Sequence, residues 1–346
     1  MPTKKKPARK AYKNQAKRKQ SQTLHPLGKA FFLTFSFTLI FAALFFKLNR
    51  NPDSKPSPQP TFRAITNPIE MQIALSRAGF SPGSIDGKLG TQTSQALVAY
   101  QTAMGIPPTG VFDLVTADKL QITDPVFARI ELRDSDFRKI ALKPTTWVER
   151  GQLDAMHYNS ILEMVAEHAQ TDPDTIVALN PNLQWNALRV GDQILVPRVP
   201  PVKIQSAIAY VRIRLSERTL QAFDADDQLR FHCPVSIARR IDKRPNGQLA
   251  VKVLVDQPNY TFNPAILAAT AQREGITQKF IIQPGPNNPV GSVWIGLNLP
   301  SYGIHGTPEP EKVGRTESSG CFRLANWNAK SLLEAAWVGM PVYVVP

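Results

Sequence analysis

The sequence predicts a multidomain fold: an N-terminal transmembrane helix, a small three-helix domain, a small α+β module and a C-terminal, mostly-β domain. Three observations carry that prediction. A chain of 346 residues exceeds one average domain. Residues 30–46 (AFFLTFSFTLIFAALFF) hold no charge. Beyond Val202 the apolar pattern changes from helical spacing to short β-type runs. The hydrophobic share of 42% is enough to build cores and excludes a wholly disordered chain. Two cysteines exclude a disulfide framework and a four-thiolate metal site.

A net charge of +14 would suit nucleic acid, but it is not spread over the chain. Ten positive charges lie between Lys4 and Lys29 with no acid among residues 1–29, which leaves +4 elsewhere. That stretch reads as a cytoplasmic tail touching anionic membrane lipid, and no nucleic acid is expected. As a helix rising ~1.5 Å per residue, residues 30–46 reach about 26 Å, enough for a thin hydrocarbon core. A cleaved signal peptide has the same layout. Here Ile40 and Phe41, not small residues, stand two positions ahead of Ala42 and Ala43, so an uncleaved anchor is expected. The expected localisation is the cytoplasmic (inner) membrane, single-pass, with residues 47–346 on the periplasmic or cell-wall side. Pro52, Pro56, Pro58 and Pro60 make residues 47–64 a semi-rigid linker.

Asn67-Pro68 supplies an N-cap and a first-turn proline for a helix carrying Met71, Leu75 and Ala78, with Gly79 at its end. A turn-rich loop, residues 81–90, leads to a second helix with Ala96, Leu97, Tyr100 and Met104 on one face. A short third helix follows Asp113. Residues 65–122 resemble the three-helix peptidoglycan-binding module of wall enzymes. The resemblance rests on Gln72, Leu75, Ile85-Asp86-Gly87-Lys88-Leu89-Gly90, Thr93, Tyr100-Gln101 and Thr109-Gly110. It implies glycan or stem-peptide binding; the same residues also suit turns that hold a helical spacer.

Residues 145–198 form a second unit. An amphipathic helix at 160–168 is followed by Leu179-Asn180-Pro181-Asn182 and by Val190-Gly191-Asp192 before Ile194-Leu195-Val196-Pro197. This resembles a LysM module whose opening is degraded to Gly151-Gln152-Leu153. From residue 203 to 346, β-type runs at 207–215, 219–223, 229–235, 249–255, 279–283 and 293–297 predict a sandwich or barrel. One helix, 325–338, precedes a final strand at 341–345.

Several chemistries lack their motifs. There is no G-x-x-x-x-G-K-[ST], H-E-x-x-H or C-x-x-C, so nucleotide and zinc readings fall away. No cofactor and no metal are expected. What remains is Tyr302-Gly303-Ile304-His305-Gly306-Thr307 and Ser318-Ser319-Gly320-Cys321-Phe322-Arg323. Acyl transfer needs a nucleophile, a base and oxyanion donors. A cysteine thiol becomes a nucleophile when an imidazole takes its proton. His305 ends a predicted strand, Cys321 follows a glycine, and the backbone N–H groups of Gly320 and Cys321 are the candidate oxyanion donors. The other pair, His232 and Cys233, is adjacent in a strand, so the two side chains point to opposite faces. Phe231, Cys233 and Val235 then share an inward face, with Cys233 as a buried apolar residue.

These blocks resemble the L,D-transpeptidase catalytic domain, often called the YkuD domain. Further matching residues are Arg244-Pro245-Asn246-Gly247 and Pro284 through Gly291. The resemblance implies a cysteine acyltransferase with Cys321 as nucleophile and His305 as base. It places Gly320, Ser319, Arg323 and Gly306 as oxyanion or positioning residues, and Tyr302, Asn288 and Gly291 beside the substrate. The implied partners are peptidoglycan stem peptides and glycan strands. Attack on a tetrapeptide stem would release D-alanine and leave a thioester, which an amine resolves to a 3→3 cross-link. Ser319 stands where most relatives carry a second histidine, leaving His305 as the motif's only imidazole. An inactive wall anchor and an L,D-carboxypeptidase on the same fold are the alternatives.

Overall fold

The computed structural model describes residues 61–318 and 320–346. The basic tail, the apolar stretch and the linker up to residue 60 lie outside the described residues. Among the described residues, no helix is long and apolar enough to cross a membrane. The longest described helix has 13 residues, about 20 Å against the ~30 Å of a hydrocarbon core. The expected single-pass membrane localisation is corrected accordingly: no described element carries it, and the segment on which it rested is outside the description.

The first unit holds helices α1 (Pro68–Arg77), α2 (Thr91–Ala103) and α3 (Leu114–Lys119). Asn67 caps α1, its Oδ1 accepting from the Glu70 N–H at 3.0 Å, and Pro68 fills the first turn. The residues that carry the module resemblance staple its loops. Gln72 Nε2 donates to Asp86 and Thr93, and its Oε1 accepts from the Gly87 N–H at 2.8 Å. Gln101 does the same for Thr109, Gly110 and Thr116. Met104, expected on the inward face, is instead 47% exposed because α2 has ended at Ala103.

The second unit pairs β1 (Phe127–Glu131) antiparallel with β2 (Gln193–Pro197) and packs α4 (Ile161–His168) and α5 (Pro173–Leu179) against them. Its first strand lies ahead of residue 145. Asn180 closes the unit: its amide donates to the Ile176 and Leu195 carbonyls and accepts from the Leu195 N–H, each at 2.8 Å.

The remainder is built on an eight-stranded sheet. Its strands are β3 (Tyr210–Arg214), β4 (Thr219–Phe223), β5 (Leu229–Pro234), β6 (Gly247–Asp256), β7 (Val293–Leu297), β8 (Gly303–His305), β9 (Phe322–Arg323) and β10 (Pro341–Val345). The order is β9-β8-β7-β6-β10-β3-β4-β5. Alternation fixes the register: Val211 and Ile213 face inward opposite Val342 and Val344 across the parallel β3–β10 pair. Helix α6 (Asn326–Ala335) covers the core formed by Phe231, Ile295, Ile304, Phe322 and Leu332. At the β5 edge the first unit closes the sheet. Ser81 N–H donates to the His232 carbonyl at 2.9 Å, and His232 N–H donates to Gly79 at 3.0 Å.

Candidate active site

Cys321 and His305 arrive on neighbouring strands at the opposite edge. β8 and β9 pair in parallel, with Ile304 opposite Phe322 and His305 opposite Arg323. Ile304 and Phe322 enter the core at 0% and 1% exposure. Side chains alternate, so His305, Arg323 and Cys321 share the other face. Here the two-residue β9 matters: its strand conformation comes from pairing with β8 and, across Arg323, with Ser236, and it sets the face on which the thiol lies.

The thiol is half-buried and donates to the Ser301 carbonyl at 3.4 Å rather than to His305. Burial pushes it up, opposed by the Gly303 backbone N–H. The resting sulfur is therefore a protonated thiol at neutral pH. His305 is 6% exposed. Burial pulls its imidazole down to about 4, against the Gly306 carbonyl, with the nearby Arg323 charge lowering it further and the Val290 carbonyl opposing. The ring is thus neutral at pH 7 and available as a base. His305 Nδ1 lies 2.6 Å from the Gly306 oxygen. A carbonyl only accepts, so Nδ1 carries the proton and Nε2 keeps its lone pair.

Two supports of the imidazole escape a reading by motif. Trp294 stacks on His305, with centroids 5.8 Å apart and planes at 24°, because β7 sets the two residues opposite each other. Glycine makes room for the indole: a Cβ on Gly303 would sit 2.7 Å from it. Asn326, the first residue of α6, accepts on Oδ1 from the Ser292 N–H at 3.1 Å and the Thr307 N–H at 3.0 Å. A Cβ at Gly291 or Gly306 would lie 2.1 or 2.0 Å from that oxygen, so both expected site glycines serve close backbone approach. The register of β7 and β8 would have exposed Trp294 as a neighbour; nothing in the local sequence marks Asn326.

The other expected residues separate into groups. Arg323 is half-buried and donates to the Glu317 carbonyl and Thr316 Oγ1, bracing the loop that precedes Cys321. Gly320 N–H donates to Ser318 Oγ at 3.3 Å and Ser318 donates to the Cys321 carbonyl at 2.5 Å, so Gly320 is turned into its own loop. Ser319 lies outside the described residues. Tyr302 donates to the Lys243 carbonyl at 3.0 Å. Burial raises the Tyr302 and Tyr260 phenols, and the Cys321 charge adds to both rises. Asn288 does not face the substrate side. It is fully buried, donating to the Gln283 carbonyl at 2.9 Å and accepting from the Val290 N–H at 3.0 Å.

Comparison with known proteins identifies the domains on which the site is built. The L,D-transpeptidase catalytic domain model, YkuD, matches residues 208–344, and a peptidoglycan binding domain model matches residues 66–120. A Bacillus licheniformis protein named as a candidate L,D-transpeptidase, YkuD, is 25% identical over 186 residues, covering 54% of this chain and 93% of its own. A candidate L,D-transpeptidase of Fuscovulum blasticum is 32% identical over 130 residues, covering 37% of this chain and 65% of its own. A solved L,D-transpeptidase from Xylanimonas cellulosilytica aligns over 84% of this chain at 16% identity, with a TM-score of 0.33. The family models and the sequence relatives, rather than this loose superposition, identify the domain. Residues 208–344 belong to the YkuD family of L,D-transpeptidase catalytic domains, joined in one chain to a peptidoglycan-binding domain at residues 66–120.

Proposed function

We propose that this transpeptidase acts through a thioester at Cys321, with His305 as its base, on tetrapeptide stems of peptidoglycan. The reading is supported above all by the parallel β8–β9 register, which brings a thiol and a neutral imidazole to one face of the sheet edge. In the first step His305 Nε2 takes the thiol proton as sulfur attacks the carbonyl of the third stem residue. The C–S bond forms, the peptide bond to the terminal D-alanine breaks, and the imidazolium returns its proton to the departing amine. In the second step an amine attacks the thioester, giving a new amide and the free thiol. A stem amine yields a 3→3 cross-link; a D-amino acid, a protein lysine or water yields exchange, attachment or hydrolysis.

The working units are residues 65–122, a middle unit that runs from β1 at Phe127 to β2 at Pro197, and residues 203–346. A LysM-like character for the middle one is favoured by its strand-helix-helix-strand order, with the closing Asn180 knot. Muropeptide analysis after expression of wild type and Cys321→Ala tests the whole reading. New 3→3 cross-links should appear with wild type alone. Cross-links that persist with Cys321→Ala would assign the chemistry to another residue; tetrapeptides trimmed to tripeptides by wild type without cross-links would favour the carboxypeptidase, and a muropeptide profile unchanged by both would favour a binding protein.

A further inference from the structure

Helix α4 of the middle unit meets the catalytic domain with two carboxylates one turn apart. Glu163 Oε1 accepts from Asn287 Nδ2 at 2.7 Å, and Glu167 Oε2 accepts from Asn326 Nδ2 at 2.9 Å. The second contact continues inward. Asn326 Oδ1 accepts from the Thr307 N–H at 3.0 Å and from the Ser292 N–H at 3.1 Å. Only the oxygen of that amide can accept from two N–H groups, so its orientation is single-valued. Thr307 N–H and the Gly306 carbonyl belong to one peptide group, and that carbonyl faces His305 Nδ1 at 2.6 Å. A carboxylate 159 positions upstream of Asn326 thus stands at one end of an unbroken hydrogen-bonded line whose other end is the imidazole.

We propose that Glu167 is a positioning residue for His305, acting through Asn326 and the Gly306–Thr307 peptide. The proposal rests on His305 being the base. Glu167 fixes the Asn326 amide, the amide fixes the peptide plane, and the peptide fixes the ring tautomer that leaves Nε2 free. Close packing leaves the amide no slack, since Gly291 and Gly306 both lie against Oδ1. Glu167 is itself held, its Oε1 accepting from the Tyr158 hydroxyl at 3.0 Å. Burial raises its carboxyl to about 7, against the hydrogen bonds from Asn326 and Tyr158 and with the Glu163 charge adding to the rise. A proton on Oε1 still leaves Oε2 as an acceptor, so the contact to Asn326 survives both protonation states. A further consequence concerns the middle unit: it is part of the catalytic apparatus, not only a spacer.

The test uses the full chain, a disaccharide-tetrapeptide muropeptide and single-turnover release of D-alanine at pH 8. Glu167→Leu removes the acceptor, and Asn326→Asp turns the facing donor into an acceptor that Glu167 repels. Each should slow acylation by up to about 10²-fold with KM changed by less than about threefold, as expected for a displaced base. Glu167→Gln keeps an acceptor oxygen for Asn326 and should stay within about threefold of wild type. The double variant Glu167→Gln/Asn326→Asp restores a donor to an acceptor and should recover at least about tenfold over Asn326→Asp alone. If Glu167→Leu does not fold, the size-conserving Asn326→Asp pair decides. Acylation within twofold of wild type in folded Glu167→Leu and Asn326→Asp would overturn the proposal. So would a double variant no faster than Asn326→Asp. Cys321→Ala in the same assay reports on the underlying reading: D-alanine release that persists there removes the thioester mechanism itself, whereas its loss there beside normal Glu167 variants removes only the relay.

Discussion

The chain's two cysteines each have a histidine near them, and the two pairs have opposite fates. His232 and Cys233 are neighbours on β5, and alternation sends them to opposite faces of the sheet. Both are buried, Cys233 at 0% in the central core and His232 at 1% beneath the first unit. Burial drives the Cys233 thiol far above its ordinary value and pulls His232 down to about 3. Neither ring nitrogen of His232 has a partner among the described residues. His305 and Cys321 are sixteen positions apart, yet the parallel register of β8 and β9 puts them on one face, where the thiol keeps partial exposure. Residue type alone therefore does not make a nucleophile; strand register and access do.

The largest contrast should appear on removing each sulfur. Cys321→Ala should abolish transfer, while Cys233→Ser should keep the turnover of each folded molecule. The latter should lower stability by about 1–3 kcal/mol in urea melts, since its hydroxyl enters an apolar site with no partner. A Cys233 variant that folds but loses turnover would break the comparison.

Next in size is the acid stability of the other pair. The fold favours neutral His232, whereas in the unfolded chain the ring titrates near ~6.5. As pH falls below that value the unfolded state binds the proton first. Stability should then decline down to about pH 3, by up to about 1.4 kcal/mol per pH unit. His305 adds the same sign down to about pH 4. His232→Phe should flatten the upper part of this decline in thermal melts between pH 4 and 7, and an unchanged slope would count against the buried neutral ring.

The smallest expected effect is at Trp294. Its stacking on His305 is a contact with no counterpart at His232. Trp294→Ala should slow acylation about 3–10-fold, the worth of one aromatic pair, at unchanged expression and melting midpoint within a few degrees.

Much of the fold was legible in the sequence because its strands are self-sufficient patterns. The runs at 219–223, 293–297 and 341–345 coincide with β4, β7 and β10, where alternation or a continuous apolar run is visible without knowing the partner. Phe322–Arg323 is too short to show a period, and it is a strand through its pairing with β8 on one side and with Ser236 on the other. The hairpin of Tyr260–Phe262 and Phe280–Ile282 was legible only in its second strand, because its aromatic face gains meaning from Trp147, 5.1 Å from Phe262 and remote in sequence. At the site, Cys321 and His305 were readable as chemistry because few residue types can do acyl transfer. Their supports were not. Asparagine, glutamate and tryptophan are common residues, and Asn326, Glu167 and Trp294 acquire their roles from register and from contacts between units.

The central claim is that a neutral, buried His305 activates a thiol that is otherwise pushed up by burial. The most direct measurement is the single-turnover acylation rate of the full chain against pH, for wild type and His305→Ala. Wild type should hold a plateau from neutral pH downward and lose half its rate only near the His305 value of about 4. His305→Ala should lose roughly 10²–10⁴-fold at pH 7 and climb about tenfold per pH unit toward the unassisted thiol, which titrates above its ordinary ~8.5. A variant that keeps the neutral-pH plateau would show that His305 is not the base.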